Sequence, residues 1–165
     1  MSLINKKIKL SVVTGIMMVL ITSCLSTEKF EKEEVLRIQL YLSEHSDISF
    51  ELKPSGLYYA DIVVGTGTHP VTNDTAYIMY TCTFLNEELY GTNIGTPDTL
   101  ISPVGVGFLI SGFDEAITCM NAGGKSKIVV PSELGHGNTG WYFPAYTPLV
   151  YDIYLVRIKP GPGAR

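Results

Sequence analysis

Side chains able to do covalent chemistry are few in this chain, and their spacing brings none of them together. His45, His69 and His136 stand far apart, without the spacing that a tetrahedral metal site needs. Gly124-Lys125-Ser126 has the ending of a phosphate-binding loop, but Cys119 sits where that loop needs its first glycine. The stretch also leads from helix to strand, the reverse of what phosphate binding requires. Gly65-Thr66-Gly67 runs into Pro70, which spoils a dinucleotide fingerprint, and no serine lies in a Gly-x-Ser-x-Gly elbow. No acid–base pair, activated nucleophile or cofactor motif is left, so an enzyme reading must rest on chemistry that needs none of them. "LISGFDEAI", residues 109–117, raises that possibility. Its apolar pair, Leu109 and Ile110, runs through Ser111-Gly112 into Phe113, in the first turn of a short helix. Asp114 and Glu115 follow at the end where the helix dipole favours negative charge. An aromatic residue at such a hinge either plugs the core or floors a pocket.

The elements around it read as strands. "LYYADIVV" and "TAYIMYTCTF" are rich in aromatic and β-branched residues, and Gly65-Thr66-Gly67, Pro70 and Asn73-Asp74 separate them. "KSKIVVP" is a further strand. "LVYDIYLVRI" is the last, with Leu149, Tyr151, Ile153 and Leu155 alternating onto one face. One helix interrupts them, from Phe113 to a glycine end near Asn121-Ala122-Gly123-Gly124. Ahead of the strands, Phe30 to Glu44 suits a bracing helix, with Val35, Ile38 and Leu42 on one face and Leu36 and Leu40 beside them. The fold class predicted is α+β, an antiparallel sheet packed on one short helix, with an extra N-terminal helix.

The beginning of the chain speaks to location. Lys6, Lys7 and Lys9 form a basic head, and an apolar run over residues 11–21 is too short for a stable membrane span. Small residues then lead to Cys24, the pattern of a bacterial lipoprotein signal in which Cys24 is lipidated. Leu25, not aspartate, follows, which points to the outer membrane. The division expected is a signal at 1–23, a tether at 24–29, a helical segment at 30–54, a β-rich domain at 55–159 and a tail at 160–165. Removing the signal from 165 residues leaves 142, enough for one domain with a core. The formal net charge is −4, and the basic residues do not cluster outside the signal, which argues against nucleic acid as a partner. Cys82 and Cys119, placed on a strand and a helix, are expected to stay unpaired.

Four blocks, in this order and spacing, carry a resemblance: "SGLYYADIVVGTGTHPVTNDTAYIMYTCTF", "LISGFDEAI", "NAGGKSKIVVPSELGHGNTG" and "FPAYTPLVYDIYLVRI". Residues 55–158 resemble the FKBP family of peptidyl-prolyl isomerases. The helix ahead of Ser55-Gly56-Leu57-Tyr58-Tyr59 looks like lipoproteins of this family from Bacteroidetes-type bacteria. The resemblance implies a curved antiparallel half-barrel wrapped on the Phe113 helix, and proline-containing polypeptides as substrates. It places Phe113 at the pocket floor, where the family usually carries tryptophan. Tyr80, Tyr90 and Tyr151 become pocket aromatics, Phe143 an apolar rim residue and His136 the counterpart of a rim tyrosine. Leu109 and Ile110 match the pair before the floor, with the Ile110 amide holding a substrate carbonyl.

Three departures accompany the match. Gly91 stands where active members carry aspartate, Phe113 replaces tryptophan, and His136 replaces tyrosine. Together they imply a weakened or altered site, which Trp141 and Tyr142 would either compensate or occlude. Three uses stay open: a lipid-anchored isomerase assisting the folding of exported proteins, a non-catalytic binding module on the same scaffold, and a structural envelope domain without a pocket.

Overall fold

The structure is a computed structural model that describes residues 28–138 and 144–162. The signal, Cys24, the segment Trp141-Tyr142-Phe143 and the last three residues lie outside them. The chain divides into two compact units, Met1–Leu36 and Arg37–Arg165. Within the first, residues 28–36 are helical, with exposed i,i+4 ion pairs Lys32–Glu28 and Lys29–Glu33. The described residues are helical from 28 through 44, here α1, and this covers the expected Phe30–Glu44.

The second unit is built on seven antiparallel strands: β1 (Glu51–Leu52), β2 (Tyr58–Val63), β3 (Thr75–Phe84), β4 (Leu89–Thr92), β5 (Leu100–Pro103), β6 (Lys125–Val130) and β7 (Leu149–Lys159). Their order is β1-β2-β6-β7-β3-β4, with β5 also paired to β3. The two long strands lie side by side at the centre, with Ile78 opposite Leu155, Tyr80 opposite Ile153 and Cys82 opposite Tyr151. Period-2 alternation sends two sets of residues to opposite faces of the sheet. Ile78, Cys82, Ile128, Val130, Leu149, Tyr151, Ile153 and Leu155 turn inward to one core. That core closes on the helix within the sheet, α2 (Ser111–Cys119), through Phe113, Ala116 and Ile117. This is the predicted arrangement of a curved sheet around one short helix.

On the other face, Val129 and Val150 meet Ile38 and Tyr41 of α1 in a second cluster, with Leu42 and Phe50 beside it. The bracing role expected of α1 is therefore filled by Ile38, Tyr41 and Leu42. Val35, Leu36 and Leu40 are exposed, so the apolar stripe is narrower than the sequence pattern implied. Burial pushes the Tyr41 phenol up to about 12, with the Asp152 and Glu87 carboxylates adding to it. Both Cys82 and Cys119 are free thiols, as expected.

Two glycines are required by close approach. A Cβ on Gly112 would stand 2.7 Å from Val130 Cγ1, so only glycine lets the first turn of α2 seat against β6. A Cβ on Gly65 would fall 2.2 Å from the Asn121 carbonyl oxygen. Gly65-Thr66-Gly67 is thus a contact between the β2–β3 connection and the turn after α2, and the Gly67 N–H donates to Ala122 O at 2.9 Å.

Candidate functional site

A cavity of about 170 Å³ opens where the sheet curls past the N-terminus of α2. β3 supplies Tyr80 and Cys82, β4 Tyr90 and Gly91, β5 Leu100, α2 Phe113 and β7 Tyr151, while Leu109 and Ile110 come from the approach to α2. Every one of these side chains is uncharged. Three rings form its base. Phe113 meets Tyr151 edge-on at 5.0 Å and 81°, and Tyr80 at 5.8 Å and 83°; Tyr80 and Tyr151 stand 6.1 Å apart. Edge-to-face pairs of this kind contribute about 0.5–1.5 kcal/mol each beyond their buried area. Phe113 is 3% exposed, so its two readings, core plug and pocket floor, describe one position.

Local backbone features aim the walls. In regular strands neighbouring residues point to opposite faces, yet Tyr90 and Gly91 both line the cavity. The β3–β4 register explains this: Cys82 pairs with Gly91 but Thr83 pairs with Leu89, leaving Tyr90 as the extra residue of a bulge. The bulge turns the Tyr90 ring onto Phe84 at 5.6 Å. Tyr80 is set by Asn93, whose Oδ1 accepts from the Tyr80 N–H at 2.7 Å while its Nδ2 donates to Ile78 O at 3.0 Å. Asn93 thereby stands in for strand pairing where β4 ends. At the helix entrance, Ile110 O accepts from the Phe113 and Asp114 N–H groups, both at 3.0 Å. The Ile110 N–H has no acceptor among the described residues.

Electrostatics reinforce the apolar character. Burial first, and then the adjacent Cys82 thiol, hold the Tyr151 phenol well above its ordinary range. Burial likewise pushes Cys82 up to about 11. Both stay protonated at neutral pH, so a bound group meets hydroxyls, a thiol and rings but no ion.

Of the residues expected here, Tyr80, Tyr90, Leu109, Ile110, Phe113 and Tyr151 come together around the cavity. His136 is half-buried after the 3-10 turn Ser132–Leu134 and is not one of the lining residues, and Phe143 lies outside the described part. Cys82 and Leu100 were not foreseen. The cross-strand pairs Gly91–Cys82 and Cys82–Tyr151 place the thiol beside residues that were, and a strand of four residues hid Leu100. A larger groove of about 570 Å³ lies between residues 37–44, the β3–β4 turn and Pro144–Pro148. Arg37, Glu44 and Glu88 line it, and it contains none of these residues.

The site is thus an uncharged, ring-lined hollow at the entrance of the short helix on which the antiparallel half-barrel closes, suited to holding a small apolar group. Residues 66–156 match the family described as FKBP-type peptidyl-prolyl cis-trans isomerase. The chain belongs to that family. It is 30% identical over 105 residues to an FK506-binding protein of Neisseria meningitidis, covering 62% of this chain and 96% of that one. It is 31% identical over 105 residues to FK506-binding protein 4 of Dictyostelium discoideum, covering 62% of this chain but only 28% of that longer protein. The crystal structure of FkpA from Escherichia coli superposes with a TM-score of 0.70 at 26% identity, over 82% of this chain and 65% of that one.

Proposed function

We propose that this chain catalyses cis–trans isomerisation of Xaa-Pro bonds in exported polypeptides while held at the cell envelope by a lipid on Cys24. The observation that carries the catalytic part is the uncharged cavity floored by Phe113 and walled by Tyr80 and Tyr151. The planar amide is held by resonance behind a barrier of about 20 kcal/mol. Water bonded to its carbonyl favours that planar, dipolar form. A proline ring on Phe113 leaves water behind, and the Ile110 N–H holds the carbonyl as the bond twists. Binding the twisted amide better than the planar one is sufficient, since each tenfold acceleration needs only about 1.4 kcal/mol. No proton moves, consistent with a site in which Tyr151 and Cys82 are kept neutral.

The anchor and its destination rest on the sequence: the basic head, the short apolar run, Cys24 and the non-acidic Leu25. These features suit an outer-membrane lipoprotein of the kind found in Bacteroidetes-type bacteria. The full chain, purified in detergent and tested on a panel of Xaa-Pro peptides by a protease-coupled assay, should accelerate isomerisation. Rates at the uncatalysed background for every Xaa would reject catalysis. Gly91 favours a second reading, a module that binds proline segments without turning them over; background rates together with saturable peptide binding would establish it. Metabolic labelling with an alkyne fatty acid should mark the wild type and not Cys24→Ala.

A further inference from the structure

We propose that the groove between residues 37–44 of α1, the β3–β4 turn and Pro144–Pro148 is a second binding site for the client polypeptide. It takes a segment with apolar residues and one lysine or arginine, a few positions from the proline, and rests on the reading above that the smaller cavity holds that proline. At about 570 Å³ the groove falls within the roughly 300–1,000 Å³ of clefts that hold ligands. α1 supplies Leu40 and Tyr41, the end of β3 and its turn supply Phe84 and Leu85, and Pro144 and Pro148 complete the wall. Tyr41 is 3% exposed and belongs to the cluster on Val129 and Val150, whereas Leu40 keeps 59% of its surface open. A leucine left open on the edge of an apolar hollow is surface that a partner would cover.

The charge in the groove selects the partner. Glu44 stands in the last turn of α1, where the helix dipole favours cations, and that turn holds no basic residue. Glu88 joins it from the β3–β4 turn. Their chain neighbours His45 and Glu87 touch, Nε2 to Oε1 at 3.2 Å, so the end of α1 meets the turn and both carboxylates serve the same end of the groove. Among the described residues neither Glu44 nor Glu88 forms an ion pair. Arg37 lies two helical turns away, about 10 Å along α1, and its Nη2 donates to Tyr146 O at 2.8 Å. A bound lysine or arginine therefore meets two carboxylates and a helix C-terminus, and a bound acid is repelled.

The groove is joined to the proline cavity. Phe84 lines the groove, Tyr90 lines the cavity, and their rings meet at 5.6 Å and 65°. An extended chain advances about 3.3–3.6 Å per residue, so crossing the two rings takes about three residues. The stretch beside residues 37–44, about 10 Å long, takes about three more. The cation thus falls about three to six residues from the proline.

The test uses the full chain in detergent and labelled peptides sharing one Xaa-Pro core. Each is extended by an apolar segment with Lys, Glu or Gln about three to six residues from the proline, on either side. Fluorescence anisotropy should show the best-placed Lys peptide binding about fivefold tighter than its Glu and Gln counterparts. Glu44→Lys should remove that preference, and Glu44→Lys with Glu88→Lys should turn it towards the Glu peptide. Because a cation suits the last turn of α1, Glu44→Lys should melt no lower than the wild type, which separates loss of binding from loss of fold. Leu40→Ser should weaken every extended peptide about threefold and leave isomerisation of a short Xaa-Pro peptide unchanged. Equal affinity for the Lys, Glu and Gln peptides, or a Lys preference that survives both reversals, overturns the site while leaving the isomerase intact. So does a wild-type dimer in light scattering that Leu40→Ser dissociates, which would assign the groove to a second copy of the chain. If the wild type isomerises no peptide, the isomerase reading fails by itself, and the Lys preference with its reversal still decides the groove.

Discussion

Replacing Phe113 by leucine separates the two roles that its position merges. The side chain makes two edge-on ring contacts, to Tyr151 at 5.0 Å and Tyr80 at 5.8 Å. At about 0.5–1.5 kcal/mol each, their loss destabilises the fold by roughly 1–3 kcal/mol. In a unit of this size each kcal/mol moves the melting temperature by roughly 4 °C, so circular dichroism should find Phe113→Leu melting roughly 4–12 °C lower. The catalytic consequence is separate. Leucine removes roughly one to two methylene-equivalents of floor contact, and at about 0.8 kcal/mol each the bound proline loses roughly 1–2 kcal/mol. That corresponds to a fall of about 5- to 30-fold in kcat/KM, measured on Xaa-Pro peptides well below the melting transition. A variant that melts lower by this amount but turns over at the wild-type rate would make Phe113 a core residue only, and the pocket would have to lie elsewhere.

Gly91→Asp tests whether the site has lost a carboxylate that it can still accommodate. A Cβ at Gly91 meets no atom within 4 Å, so the fold should tolerate the change within about 0.5 kcal/mol. The new charge, facing the row of Cys82 and Tyr151, should raise kcat/KM at least threefold; an unchanged or lower rate retires the idea of a decayed site. Asn93→Ala removes the two side-chain hydrogen bonds that set Tyr80, at a cost of about 1–3 kcal/mol by urea titration together with a drop in kcat/KM. Wild-type stability would show that Asn93 sets nothing. Alkaline stability follows from the buried acids. Tyr151 and Tyr59 are held above their ordinary 10.0, Tyr41 rises to about 12, and Cys82 rises from 9.0 to about 11. Unfolding frees these groups to ionise at their ordinary values, so their contribution is complete below about pH 9 and is lost progressively as pH climbs toward the folded values. Urea midpoints should therefore fall between about pH 9 and 12, and Tyr151→Phe should flatten the decline; a midpoint that stays level contradicts the burial of these groups.

The four long strands were legible because each presents a run of aromatic and β-branched residues bounded by turn residues, and β7 shows its alternation outright. β1, β4 and β5 were not, since two to four residues, partly exposed, carry no measurable period. The sequence pattern places the start of α2 at Phe113, two residues later than the helix found. In the fold Gly112 is helical, held there by the approach of Val130, a constraint set by a strand that follows in the chain. Asp114 was likewise read as a partner of the helix dipole. Its carboxylate instead holds two amides of the preceding loop, which no local pattern announces.

The site shows the same division between local and non-local information. Tyr80, Phe113 and Tyr151 were recoverable from the resemblance because each sits at a regular position of an element that the sequence pattern shows. Tyr90 beside Gly91 defies strand periodicity, and both reach the cavity only because the bulge at Cys82/Thr83 inserts one residue. That bulge also bears on the missing carboxylate. A side chain at the position after the bulge would point across Cys82 toward Tyr151, where burial already holds two acidic groups protonated. Glycine there adds no charge to the cavity and leaves the Tyr151 and Cys82 protons in place. An acidic residue would trade that neutrality for a charge beside the twisting amide, an exchange that the gain expected of Gly91→Asp makes favourable. The same geometry thus ties the identity of residue 91 to how far the site works by desolvation alone, and the rate of Gly91→Asp reads that balance directly.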